Sequence, residues 1–205
     1  MTTDGPCLRF PVSECTVTHM TPILSTADLR RATVVASAIT AFARNGYLGT
    51  STAKIAAEAK ISTAYVFKLF PSKERLFVAA LDRCFELIRQ ALDAGATAAR
   101  EQTPAGLLDA MGDAYAELIA DKDLLMLQVH AQSASDVEEI RRALQQGIGR
   151  ITEFVSLRSG ADDAAVQQFM AYGQLCHLIV TAGLDGLDTS WAKALVAGIR
   201  HPEPR

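Results

Sequence analysis

Within the run Thr63-Ala64-Tyr65-Val66-Phe67-Lys68, four side chains could read a nucleic acid: Thr63, Ala64, Tyr65 and Lys68. Together they offer a hydroxyl, a methyl group for thymine, an aromatic edge and a cation, all on the outward side of a short helix. The DNA major groove is just wide enough to admit one such helix. Positioning it requires neighbours. Residues 50–70, TSTAKIAAEAKISTAYVFKLF, read as two helices of about two turns joined at Lys60-Ile61-Ser62. Neither is stable alone, so Ile55, Ala56, Ala59, Ile61, Val66 and Phe70 must pack them together and against the preceding helix. On this grammar alone, a surface helix pair inside an ordinary bundle fits equally well.

Charge separates the two readings. Residues 26–77 carry Arg30, Arg31, Arg44, Lys54, Lys60, Lys68, Lys73 and Arg75 against Asp28, Glu58 and Glu74, a net +5. The whole chain is at −3, which leaves −8 for the rest. A basic segment on an acidic chain points to a polyanion met by one end only. With 49% apolar and 21% charged residues over 205 positions, wholesale disorder is excluded. The longest run free of formal charge, Ala164 to Leu184, holds Gln167, Gln168, Gln174 and His177. It is too polar for a membrane span. The first 25 residues lack the pattern of a secretory signal. Cys7, Cys15, Cys84 and Cys176 share no pairing or metal-type spacing, which fits reduced thiols and predicts a cytoplasmic protein.

The helical period runs through the chain and never yields to alternation, so the expected class is all-α with about nine helices. Residues 1–25, with Pro6, Pro11 and Pro22, read as a flexible arm. A first helix runs from Thr26 to a stop at Asn45-Gly46. Thr50 is the expected N-cap of a helix to about Ala59, and Thr63 to Leu69 follows. Ser72 recaps a long helix from Lys73 to about Ala94. Thr103-Pro104 opens another to about Ala120, and Asp121 or Asp123 starts one through His130. Ser135 to Glu138 has capping-box spacing for a helix to about Leu157, ended by Ser159-Gly160. Asp162 to Ala182 and Thr189 to Ile199 complete the set. The expected domains are 26–72 for DNA and 73–205 for ligand and dimer.

The stretch Ala32 to Phe77 resembles the DNA-binding domain of the TetR family of transcriptional regulators. Phe42, Gly46, Tyr47, Thr50-Ser51, Ile55-Ala56, Ala59, Ser62 and the closing Phe70-Pro71-Ser72-Lys73-Glu74 carry the likeness. It implies a three-helix helix-turn-helix domain followed by a helical ligand-binding and dimerisation domain. It also implies that Thr63, Ala64, Tyr65 and Lys68 meet bases and neighbouring phosphates. Ser51 and Thr52 would hold a phosphate at a helix start, and Lys73 would grip the backbone. Lys60 and Ala64 stand where the family usually has glycine, Phe67 where it has tyrosine, and Leu69 where it has histidine. If the turn needs positive φ at Lys60, a non-glycine there costs on the order of 1 kcal/mol.

For the second domain, cavity candidates at helical spacing are Phe85, Met111, Tyr115, Met126, His130, Phe169, Met170 and His177; the plain alternative for each is core packing. The helix 162–182 is apolar nearly all round, so Tyr172, Leu175, Cys176 and Ile179, with Trp191 and Leu195, are assigned to a symmetric dimer. No cofactor is implied, and His177 beside Cys176 lacks a third metal ligand. No phosphate loop, paired carboxylates or nucleophile motif supports an enzyme. The expected protein is a homodimeric repressor that binds a palindromic double-stranded operator and is released by a small hydrophobic ligand, with no membrane partner. The rival is a helical adaptor that binds only protein.

Overall fold

Six helix starts are fixed by side chains that accept a free backbone N–H, as short polar residues do at N-caps. Ser51, Ser62, Ser72, Thr103, Asp121 and Asp162 accept from Lys54, Tyr65, Arg75, Gly106, Asp123 and Ala165. The computed structural model describes residues 26–199, and among these the elements are nine α-helices and one 3₁₀ turn. They are α1 (Thr26–Gly49), α2 (Thr52–Glu58), α3 (Thr63–Leu69), α4 (Lys73–Ala98), α5 (Pro104–Leu118), α6 (Lys122–Ser133), α7 (Glu138–Ser159), α8 (Asp163–Ala182) and α9 (Ser190–Val196), with the 3₁₀ turn at Leu184–Gly186. The class is all-α, as expected. The expected arm, with Cys7 and Cys15, lies outside the described residues. No helix among them is long and apolar enough to cross a membrane.

Three local expectations need correction. Thr50 is not an N-cap: its hydroxyl is buried and bonds back to the Gly46 and Ala41 carbonyls at 2.7 and 3.1 Å, which leaves Ser51 to cap α2. The capping box at Ser135 does not open α7. Glu138 is drawn instead into ion pairs with Arg141 and Arg142, and Val137 begins the helix with no side-chain cap. The long helix runs four residues beyond Ala94, to Ala98, because Ala96 is fully buried and the apolar face continues.

Gly46 marks the predicted stop of α1 in a different form. One more turn follows it, but Gly46 itself sits at φ 69° and ψ 175°, where only glycine is at ease. A Cβ there would also lie 3.1 Å from the His130 ring. On either side of the kink, Tyr47 and Phe42 close on Phe77 of α4 with ring centroids 5.6 and 4.7 Å away, both edge to face. Ile55 of α2, Val66 of α3 and Phe70 are fully buried in the same cluster.

Helices α5, α6 and α7 pack against α4, and α8 packs on those three. Gly95 brings α5 so close that a Cβ would stand 2.5 Å from the Ala110 carbonyl oxygen. Gly147 does the same for α7, where a Cβ would meet the Phe85 ring at 2.1 Å. Long α4 therefore begins in the basic module and ends in the core of the second bundle.

The turn between α2 and α3 holds Lys60 at φ 56°, the one non-glycine with positive φ among the described residues. A side chain pays for that conformation, and the Lys60 side chain is exposed. Replacing Lys60 by glycine is expected to raise unfolding free energy by about 0.5–1 kcal/mol, net of the extra chain entropy. Urea denaturation followed by circular dichroism checks this; a loss of stability contradicts it.

Candidate DNA-contacting face and effector cavity

A seven-residue helix presents few faces, and α3 buries only Val66. Ala64, Phe67 and Lys68 are exposed, while Thr63 and Tyr65 are half-buried at its flanks. The structure therefore brings all four expected α3 residues to one open surface. Phe67, 48% exposed, joins them. Sequence reading missed it as a contact residue, although its spacing of three and four from Ala64 and Thr63 was the available signal. A phenyl ring on this face suits the thymine methyl.

Two arginines from α1 also reach the module. Arg31 donates to the Leu69 carbonyl at 2.8 Å and lies 4.1 Å over the Phe70 ring. Arg30, exposed, lies 5.6 Å over the Tyr65 ring and adds a cation beside the recognition surface. Only total charge pointed to them, since their meeting with α3 depends on the angle between helices. Ser51 is exposed and Thr52 half-buried at the start of α2, on the same module.

Lys73 takes a different post from the expected phosphate clamp. Its ammonium donates to the Tyr47 and Thr50 carbonyls at 2.9 and 3.3 Å and lies 4.3 Å over the Tyr47 ring. Next to it, the Tyr47 hydroxyl donates to Glu74. That bond holds the Glu74 carboxyl below its ordinary range, while burial first and then Glu74 raise the tyrosine. Lys73 and Glu74 thus lock the head of α4 to the end of α1.

The second bundle holds a half-open cavity of about 780 Å³ between α4, α5, α6, α7 and α8. Phe85, Tyr115, Phe169 and Met170 line it, as do Tyr172 and Cys176 from the expected interface set. Four expected lining residues sit elsewhere. Met111 is fully buried in the core. Met126 packs with Ile119, Leu125 and Cys176. The His130 Nε2 meets the Ala43 carbonyl oxygen at 3.1 Å, which ties α6 to α1. His177 is 4% exposed behind the wall, its Nε2 2.7 Å from the Tyr115 hydroxyl. Gln128, not anticipated, is buried and lines the cavity two residues from His130. Among the described residues, no group of three or more His, Cys, Asp or Glu is arranged to hold a metal.

Of the expected interface residues, Cys176 and Ile179 are buried within the chain itself. Tyr172 and Trp191 are about half exposed, at 47% and 54%, and Leu175 and Leu195 are half-buried. Leu178, at 53%, belongs with them: Ala164, Gln168, Ala171, Leu175, Leu178 and Ala182 follow one another at alternating steps of four and three along α8.

Residues 34–80 match the model of a family described as bacterial regulatory proteins, tetR family. No curated protein matches the chain. Among solved structures, the transcriptional regulator FadR of Bacillus subtilis, bound to stearoyl-CoA, superposes with a TM-score of 0.64 at 16% identity, over 82% of this chain and 99% of that one. A TetR-like regulator of Rhodococcus sp. RHA1 gives 0.60 at 21% identity, over 84% and 94%. The multidrug-binding protein EbrR, bound to proflavin, gives 0.56 at 19%, over 83% and 99%.

Burial pushes the His177 imidazole down to about 4, and its Nδ1 has no hydrogen-bond partner among the described residues. The unfolded histidine takes up a proton near 6.5, so acid favours the unfolded chain between these values. Stability is expected to fall by about 2 kcal/mol from pH 7 to pH 5 on this account. Urea titrations at the two pH values should show a clearly smaller drop for His177→Gln than for the parent.

Proposed function

We propose that this chain, whose residues 34–80 belong to the tetR family of bacterial regulatory proteins, is a homodimeric repressor that binds a palindromic operator through α3 and releases it when a small hydrophobic ligand fills the cavity. The observation that carries this reading is the pairing of an exposed, basic-flanked recognition helix with an apolar cavity, the two joined by α4 and α6. FadR holding stearoyl-CoA and EbrR holding proflavin support a ligand within the second bundle.

Support for the dimer comes from α8, in which only Val166, Cys176, His177 and Ile179 of its 20 residues are buried within its own chain. A helix this apolar is costly to leave in water, and the Leu175–Leu178 seam offers a self-complementary surface. Two recognition helices must then sit about 34–36 Å apart to enter successive major grooves. A ligand contacting Gln128 acts on α6, whose opposite side holds His130 against Ala43 and Gly46. It shifts the balance of spacings only through unequal affinity for the two states.

Selection from random duplex DNA is expected to return a palindrome with half-sites about ten base pairs apart. With about eight phosphates contacted, the log–log salt slope of binding should be near −7. Phe67→Ala and Lys68→Ala should each weaken that site at least tenfold, as band-shift titration would measure. A flat salt response, or no selected site, contradicts the reading. His130→Phe, which removes the tie to Ala43, is expected to keep operator binding but blunt release by any ligand that works on the parent.

A further inference from the structure

The cavity is one-sided in charge. Its lining includes Asp109, Asp113 and Asp162 and, among the described residues, no lysine, arginine or histidine. Three arginines on its flanking helices are engaged by carboxylates of their own surface: Arg89 by Glu86, Arg150 by Asp82 and Arg158 by Asp93. The rest of the wall is mostly apolar and aromatic, with three uncharged amides from Gln128, Gln168 and Gln174. Phe85, Tyr115, Phe169 and Tyr172 contribute rings from α4, α5 and α8, on several sides of the space. Walls of low dielectric that carry one sign of charge focus a field into the space they enclose. Ring faces add attraction for a cation and none for an anion.

We infer that the effector is a hydrophobic organic cation, its charge held by the field of the Asp109, Asp113 and Asp162 carboxylates and its body stacked among the four rings. This rests on the reading that the cavity is an effector site, and it makes that reading specific. A ligand whose head is a carboxylate or a phosphate would meet like charge here, and one with no charge would leave the field unused. The chain's own division agrees, since residues 78–199 hold 9 Lys and Arg against 17 Asp and Glu, a net −8.

The test uses two ions of nearly equal size and shape but opposite sign, tetraphenylphosphonium and tetraphenylborate, with triphenylphosphine oxide as a neutral relative. Each is titrated into the full-length protein by calorimetry at low and moderate salt. The phosphonium is expected to bind at least tenfold more tightly than the borate. Asp109→Asn, at an exposed position, should cut that preference at least threefold, and Asp109→Asn with Asp113→Asn should abolish most of it. The single variant keeps the test valid if the double one fails to fold by thermal melting. Equal or tighter binding of the borate overturns the inference, as does a preference that the single variant leaves unchanged. Binding of the neutral oxide without the phosphonium overturns the charge assignment but leaves the effector cavity standing. Binding of none of the three removes both.

Discussion

A helix of seven residues cannot hold its shape in water, because nucleation consumes nearly all the hydrogen bonds it could form. Everything about the basic end of this molecule follows from that constraint. Helix α3 keeps its form through Val66 and the adjoining Phe70, both fully buried, and through Ser62, which caps its first turn. Those anchors need a rigid floor, and the edge-to-face packing of Phe42 and Tyr47 on Phe77 provides it. Aromatic pairs of this kind add about 0.5–1.5 kcal/mol beyond their buried area. The outward face is then free to carry chemistry, since none of Ala64, Phe67 or Lys68 is needed to keep the helix folded.

The same floor explains why Lys73 serves the fold. A long α4 must leave the small module at a fixed angle if its far end is to report on anything. The ammonium that spans the Tyr47 and Thr50 carbonyls fixes that angle, and Tyr47 bonded to Glu74 fixes it a second time. Carbonyls at the kink around Gly46 would otherwise lack partners, and a buried unpaired carbonyl is expensive. A cation at the head of α4 is therefore useful even without a phosphate to hold.

What sequence disclosed and what it hid divide along one line. Most caps and stops were legible from local signals: Ser62, Ser72, Thr103, Asp162 and Gly160 act where local chemistry places them. The positive φ at Lys60 entered only as a condition, through the glycine that the TetR family usually has at that place in the turn. Local grammar misled where a competing partner, itself close in the chain, outbid the cap. Thr50 abandoned its cap for two buried carbonyls, and Glu138 abandoned its box for Arg141 and Arg142. The cavity was half legible. Phe85, Tyr115, Phe169 and Met170 line it, but helical spacing cannot say which side of α5 or α6 faces a void, so Met111, Met126, His130 and His177 were placed in it wrongly.

His130 shows what such a misplacement conceals. A histidine on α6 looks like a ligand contact because imidazole is polar in an apolar helix. Its actual post, between the Ala43 carbonyl and the bare Cα of Gly46, requires the one residue without a side chain at the kink and a ring able to bond across the domain boundary. Two constraints in distant parts of the chain thus satisfy each other. Gln128, on the cavity side of the same helix, lies about half a turn away, because each residue of an α-helix advances about 100°. Any force on Gln128 that rotates or slides α6 must disturb His130, since a packed helix moves as a body. The tie at Lys73 and the tie at His130 hold α1 from two helices that both line the cavity. A shift in one without the other would strain α1 against its own kink, so the two ties couple α1 to the relative position of α4 and α6.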